Sequence, residues 1–242
     1  MKEQMDQRIL EGARDALRSA RSVAVLTGAG ISAESGIPTF RGAAGLWKQF
    51  RPEELATAEA FAGQPELVWE WYDWRRSLIA RAEPNAGHYA LVELERRVSK
   101  FTLITQNVDG LHRRAGSKHV LEIHGTIWNL RCTRCRREWT EMRVPLPLQR
   151  CECGGIARPA VVWFGETLPA RVWEEAQGAV KSCDVFLVVG TSAVVYPAAG
   201  LVPLARSAGA RIVEVNIEPT AYSDAVAYAL NGPAGEVLPQ IC

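Results

Sequence analysis

Short, mostly apolar runs alternate along the chain with stretches in which apolar residues recur three and four positions apart. The runs are Val23–Leu26, Phe101–Thr105, Val120–Ile123, Val185–Val189 and Ile212–Val215. Runs of this length without polar alternation predict strands buried on both faces, the habit of a parallel sheet. Ile9, Leu10, Ala13, Ala16, Leu17 and Ala20 share one helical face and predict a helix over Met5–Ala20. Further helices are predicted over Ala86–Arg97, Arg171–Ser182 and Pro197–Ser207. Strands alternating with helices predict an α/β fold built on a Rossmann-like, doubly wound parallel sheet.

Two segments break the rhythm. Residues 43–84 carry Trp47, Phe50, Phe61, Trp69, Trp71, Tyr72 and Trp74 among helix formers and predict a helical module packed by aromatics. Residues 128–158 are short, arginine-rich and punctuated by glycine and proline. They hold Cys132-x-x-Cys135 and, after fifteen residues, Cys151-x-Cys153. Four thiolates on two tight turns match tetrahedral zinc and leave no open position, which makes the expected metal structural. The module is too small to bury a core of its own, so the metal would supply its folding energy. The single residue between Cys151 and Cys153, where two are usual, makes the second turn tighter. The implied organisation is a Rossmann-like domain of 1–42, 85–127 and 159–242, a helical module of 43–84 and a zinc-binding module of 128–158. Cys183 sits beside an apolar strand and reads as a core residue, and Cys242 is terminal.

Charge narrows the partners. A net charge of +1 carries no basic footprint, so no nucleic-acid partner is expected. No apolar run approaches the ~18 residues of a membrane span. Residues 1–7 carry acids and no apolar stretch, unlike a secretory signal. Together with cysteines spaced as metal ligands, this makes the cytoplasm the expected compartment. Nothing in the sequence demands a dimer.

The candidate chemistry sits at strand ends. Gly28-x-Gly30-x-x-Ala33 follows the first run and fits a dinucleotide turn whose glycines let backbone amides approach a pyrophosphate. By itself it fits a plain strand–helix turn equally well. A dehydrogenase would continue into a helix, a second strand and an acid about twenty residues on. Here Pro38 discourages a long helix and no second strand follows, which argues against hydride transfer. Gln106-Asn107-Val108-Asp109, His124-Gly125, Gly190-Thr191-Ser192 and Asn216-Ile217-Glu218 end the later strands with amides, hydroxyls and carboxylates suited to ribose and phosphate. Taken singly, each is also ordinary punctuation, and His124 is either a general base or a satisfied histidine. His88, His112 and His119 have no comparable strand-end placement.

Together these segments, with Gly28–Arg41, Thr105–His112, the cysteine quartet and Val162–Glu166, resemble the sirtuins, the NAD-dependent protein deacylases. The resemblance runs in family order from about residue 23 to 238. It implies that NAD and an acyl-lysine protein or peptide meet in a cleft between the Rossmann-like domain and the small domain. Gly28, Ala29, Gly30, Ser32 and Glu34 would line the phosphate and ribose region. Phe40, Arg41 and Trp47 would belong to the cofactor loop. Gln106, Asn107, Val108 and Asp109 would hold the nicotinamide and its ribose. Asn216 and Glu218 would face the adenosine ribose, Ala234 would lie by the adenine, and Gly190, Thr191, Ser192 and Ile217 would also bind the cofactor. Val162, Trp163, Phe164, Gly165, Glu166, Val194 and Tyr196 would flank the substrate peptide as an added strand. The implied catalytic residues are Asn107 and His124, the latter as general base, with nicotinamide released and the acyl group leaving on ADP-ribose.

The helical module adds a finer expectation. Tyr72 and Arg75 lie three positions apart and share a helical face. A phenol beside a guanidinium can clamp a carboxylate, or the two can simply belong to an amphipathic helix. The class III branch of the family carries such a Tyr-x-x-Arg pair and removes succinyl, malonyl and glutaryl groups. The chain resembles that branch, so acetyl and acidic acyl groups are the expected substrates. Two rivals share the cofactor: an NAD-dependent mono-ADP-ribosyltransferase and a non-catalytic NAD or metabolite sensor. Tyr72 and Arg75 favour deacylation over the first, and the presence of Asn107 and His124 favours it over the second.

Overall fold

The computed structural model describes residues 7–40 and 51–242. Its strands are β1 (Ser22–Thr27), β2 (Lys100–Thr105), β3 (Val120–Glu122), β4 (Gly125–Cys132), β5 (Glu138–Thr140), β6 (Ala157–Val161), β7 (Val185–Val189), β8 (Arg211–Asn216) and β9 (Tyr228–Asn231). The helices are α1 (Gln7–Ser19), α2 (Pro52–Leu55), α3 (Ala58–Gly63), α4 (Pro65–Arg81), α5 (Ala86–Arg97), α6 (Leu111–Ala115), α7 (Ala170–Ser182), α8 (Leu201–Ser207) and α9 (Ala234–Ile241). Six strands form a parallel sheet in the order β3-β2-β1-β7-β8-β9. The order reverses at β1 and β7, the switch point where open α/β sheets bind ligands.

The period of two along each strand sorts its residues between two cores. Val23 and Val25 of β1, Leu103 of β2, Leu187 of β7 and Val213 of β8 face a core closed by α1, α5 and α9. Ala24, Leu26, Ile104, Phe186 and Ile212 face the opposite core, closed by α7 and α8. This two-sided burial is why the sequence shows these strands as mostly apolar runs without a polar face. β9 escaped the sequence reading because it is a four-residue edge strand with only Leu230 buried.

After β1 the chain makes a 3-10 turn, Ala29–Ser35, stopped by Gly36 at φ 82°. The long helix of a dehydrogenase is absent there, in line with Pro38. The predicted helix over Pro197–Ser207 is a 3-10 turn (Ala198–Gly200) running into α8.

The second sheet is antiparallel, in the order β5-β4-β6, and reaches beyond the expected 128–158 segment at both ends. Helices α2 to α4 pack on it through Leu55, Phe61, Trp71 and Ile79 against Ile127, Trp128, Val161 and Trp163. Arg76 pins α4 to this sheet. Fully buried, it donates to the carbonyls of Ile127 (2.6 Å), Glu141 (2.6 Å) and Arg143 (3.0 Å). Trp69 adds an indole N–H to the Leu146 carbonyl at 2.7 Å. Among the described residues no helix is long and apolar enough to cross a membrane.

Candidate active site

Four loops converge at the carboxyl ends of β1, β2, β7 and β8, and their side chains bond one another. Asn107 Nδ2 donates to the Gly28 carbonyl (3.1 Å) and to Ser32 Oγ (3.2 Å). Ser32 Oγ donates to Asp109 Oδ2 at 2.9 Å. Gln106 Nε2 donates to Thr191 Oγ1 at 2.9 Å, and Asn216 Nδ2 to the Thr191 carbonyl at 3.1 Å. The strand-end residues singled out from the sequence thus form one polar floor, although they come from four separate strands.

The glycines serve packing more than ligand approach. Gly28 and Gly30 already donate their amides to the carbonyls of Val189 (3.0 Å) and Gly190 (2.8 Å). A Cβ on Gly28 would come within 2.7 Å of Thr191 Cβ, and one on Gly30 within 2.6 Å of Gly190 Cα. The amides of Gly28 and Gly30 are thus committed to the end of β7 and the loop after it. Glu34 is likewise engaged, its Oε2 accepting from the Gly235 amide at 2.7 Å at the start of α9, beside Ala234. Ser192, Ile217 and Glu218 stand exposed at the rim.

His124 follows β3, half-buried. Its Nδ1 lies 3.0 Å from the Gln106 carbonyl. A carbonyl only accepts, so Nδ1 carries the proton and Nε2 keeps a free lone pair. Burial lowers the His124 pKa from its ordinary value of 6.5, with the Gln106 carbonyl opposing. The ring is thus neutral and basic near pH 7. Burial pushes the Asp109 carboxyl upward against the Leu111 amide, the Ser32 hydroxyl and the charges of Arg75 and Arg114.

Two histidines that the sequence did not place lie under this floor. His88 and His112 are buried with ring centroids 4.9 Å apart. His88 sits on α5, where Asn85 and His88 form a capping box. The Asn85 amide donates to its Nδ1 at 3.2 Å, leaving the Nε2 proton to face Ser32 Oγ at 3.5 Å. His112 Nε2 bonds Thr27 Oγ1 at 3.0 Å, and that hydroxyl donates to Thr105. Neither histidine ends a strand, so only helical periodicity could have marked them as inward-facing.

The Tyr72 and Arg75 side chains of α4 are buried side by side. The Arg75 guanidinium carbon lies 4.9 Å from the ring centroids of Phe40 and Trp71 and 5.7 Å from that of Tyr72. These are cation–π distances. Among the described residues Arg75 makes no ion pair, and it lines a small cleft with Ile37, Pro38 and Trp74. Of the loop after β6, Phe164 is exposed and its amide bonds the Ala56 carbonyl at 2.9 Å. Val194 and Tyr196 are exposed too. The Trp163 ring and the Glu166 carboxylate instead turn inward. Glu166 takes both guanidinium nitrogens of Arg158 (2.5 and 2.9 Å) and the Trp163 amide (2.9 Å). These two side chains are thus engaged within the protein, and a peptide adding as a strand would meet Trp163 and Glu166 through their backbone. Arg41 and Trp47 lie outside the described residues.

The four cysteines meet at the end of the small sheet, their sulfurs all within 4.8 Å of one another. Cys132 and Cys153 are 3.5 Å apart, and Cys135 and Cys151 3.7 Å. A tetrahedron with Zn–S bonds of about 2.3 Å has edges of about 3.8 Å, so the quartet fits zinc. The amides of Cys135 (3.5 Å) and Arg134 (3.4 Å) point at Cys132 Sγ and favour the thiolate, drawing its pKa down to about 6. The tight Cys151-x-Cys153 turn is accommodated with both sulfurs in the cluster.

Residues 28–197 match the Sir2 family. The chain is 54% identical over 94% of its length, and 92% of the relative's, to a protein of Pyrobaculum aerophilum named NAD-dependent protein deacylase 2. The structure of a Sir2 homologue–NAD complex superposes with a TM-score of 0.90 at 46% identity, covering 98% of this chain and 93% of that one. A complex of Sir2 with a p53 peptide and NAD+ superposes with a TM-score of 0.85 at 33% identity, covering 96% of both chains.

Proposed function

The chain belongs to the Sir2 family, and from that premise we propose that it removes acyl groups from protein lysine with NAD, preferring acidic acyl groups such as succinyl and malonyl. NAD supplies an electrophilic ribose carbon, nicotinamide as leaving group, and an ADP-ribose on which the acyl group departs. The protein's part is to hold and to deprotonate. Gln106, Asn107 and Asp109 present amides and a carboxylate to the nicotinamide ribose from one loop, kept rigid by bonds to Gly28, Ser32 and Thr191. His124, with Nδ1 tied to Gln106, offers Nε2 as the base for a ribose hydroxyl. Thr191, Asn216 and the Ala234 segment border the adenosine side. The exposed Phe164, Val194 and Tyr196 offer two lips between which an extended acyl-lysine peptide adds as a strand. The zinc cluster takes no step; it holds the sheet that carries β6 and the Phe164 loop. The cysteines' role as thiolate ligands also supports the cytoplasm as compartment.

The acyl preference rests on Arg75, a buried guanidinium that faces three aromatic rings and makes no ion pair among the described residues, Asp109 acting on it only from beyond contact. A buried cation without an anion in direct contact is costly unless a ligand supplies one. A dicarboxylic acyl chain ends in one. The test is turnover of matched acetyl-lysine and succinyl-lysine peptides with NAD, followed by nicotinamide and acyl-ADP-ribose, in the wild type and in Arg75→Met. Succinyl turnover above acetyl, lost by 30-fold or more in the variant while acetyl turnover changes less than about threefold, is the expected result. Equal losses on both peptides refute the clamp. NAD consumption without acyl-ADP-ribose shifts the reading to ADP-ribosyl transfer.

A further inference from the structure

Behind the acyl clamp lies a residue that does not face the substrate. Trp163 is 3% exposed, and its indole N–H donates to Tyr72 Oη at 2.7 Å. Its ring is locked on several sides. The Arg158 guanidinium carbon stands 3.3 Å from the Trp163 ring centroid, and the Phe61 ring lies 5.4 Å away. Arg158 is itself held by Glu166, which also accepts from the Trp163 amide.

A phenolic hydroxyl has one proton to give, and in its preferred geometry that proton lies in the ring plane, pointing to one of two sides. A donor on one side leaves only the other for the hydroxyl's own hydrogen. Among the described residues no acceptor takes the Tyr72 proton. Arg75, one turn along the same face of α4, carries the charge beside it.

We propose that Trp163 is a positioning residue for acyl selectivity. By occupying the lone pair of Tyr72 it commits the phenol to donate toward the acyl terminus, so that Tyr72 and Arg75 meet a carboxylate as two oriented donors. Trp163 acts through Tyr72 and touches no reacting atom. The inference rests on the acidic-acyl reading above. Burial raises the Tyr72 pKa, which keeps the phenol protonated and able to donate. An acetyl group ends in a methyl and has no use for the donor, so the effect is confined to acidic acyl groups.

The decisive variant is Trp163→Phe, which keeps an aromatic ring against Arg158 and Phe61 and removes the N–H. With the full-length protein and NAD, the KM for a succinyl-lysine peptide is expected to rise about five- to tenfold, the change that one hydrogen bond supports. The acetyl-lysine KM, the kcat for both peptides and the zinc content stay within about twofold. Benzothienylalanine at position 163, which swaps the N–H for sulfur while retaining both rings, gives the same selectivity change if Trp163→Phe folds poorly. Tyr72→Phe lowers the succinyl preference by itself, and adding Trp163→Phe to it produces no further selectivity change, as expected of one coupled unit. A Trp163→Phe enzyme that keeps its succinyl preference while Tyr72→Phe loses it overturns this inference alone. Equal losses on both peptides reduce Trp163 to packing and also overturn it. A Tyr72→Phe enzyme with unchanged selectivity also overturns this inference, since Trp163 then has no phenol to act through, whereas equal losses on both peptides in Arg75→Met overturn the acidic-acyl reading and this inference with it.

Discussion

The buried His88 makes the protein's stability depend on pH in a direction that can be worked out and measured. Its Nδ1 accepts the Asn85 amide, so a second proton there would set two donors head to head. Burial removes the water that would otherwise stabilise the cation, and the pKa falls from 6.5 to about 4. The unfolded chain therefore binds more protons than the folded one between pH 6.5 and about 4, and folding stability drops as pH falls through that window. At 1.36 kcal/mol per pKa unit, the His88 contribution that is whole above pH 7 and gone near pH 4 is about 3 kcal/mol. Roughly two-thirds of it is lost by pH 5. His112, pushed down by burial and by His88, acts with the same sign. His88→Gln removes the titration and costs some packing at every pH. Urea denaturation of wild type and variant at pH 7.5, 6 and 5 reads the difference in stability, in which the terms common to both proteins cancel. The wild-type advantage is expected to shrink by about 2 kcal/mol between pH 7.5 and pH 5. An advantage that stays constant across these pH values would show that His88 is not held neutral, and would refute the reasoning.

Two further outcomes test the site itself. Replacing His124 with alanine is expected to lower kcat by about 10²–10⁴-fold while leaving zinc content intact, and to remove the acid limb of kcat/KM, which in the wild type inflects below pH 6.5 because burial lowers this pKa; near-normal turnover would dismiss His124 as the base. Removing zinc with a chelator, or by Cys135→Ser, is expected to lower the Tm and abolish deacylation together, because the small sheet has little core of its own; a metal-free protein with unchanged Tm and turnover would show that the cluster is dispensable.

Legibility in the sequence followed burial symmetry. β1, β2, β7 and β8 are covered on both faces, so each appears as an apolar run whose period needs no partner to be recognised. α5 was legible to its last residue because Asn85 caps its start and Val98 ends it. The small sheet hid because β4 mixes buried Ile127 and Leu130 with Asn129 and Arg131 and is bulged against β6. The polar floor was visible as separate strand-end signals. Its bonds were not, since Gln106 meets Thr191 across 85 positions and Trp163 meets Tyr72 across 91.

By itself the sequence determined five strands of the parallel sheet, β1, β2, β3, β7 and β8, that four thiols lie at zinc spacing, and which strand ends carry polar groups, because each of these is set by neighbours along the chain. Only the tertiary structure decided what those groups are free to do. It spent the amides of Gly28 and Gly30 on the β7 loop, tied His124 Nδ1 to Gln106, turned Trp163 and Glu166 inward, and left Arg75 among aromatic rings. The physical reason is that a hydrogen-bonding group engaged by one partner is withdrawn from another. That engagement is made across the sheet order, between segments that the linear chain keeps far apart.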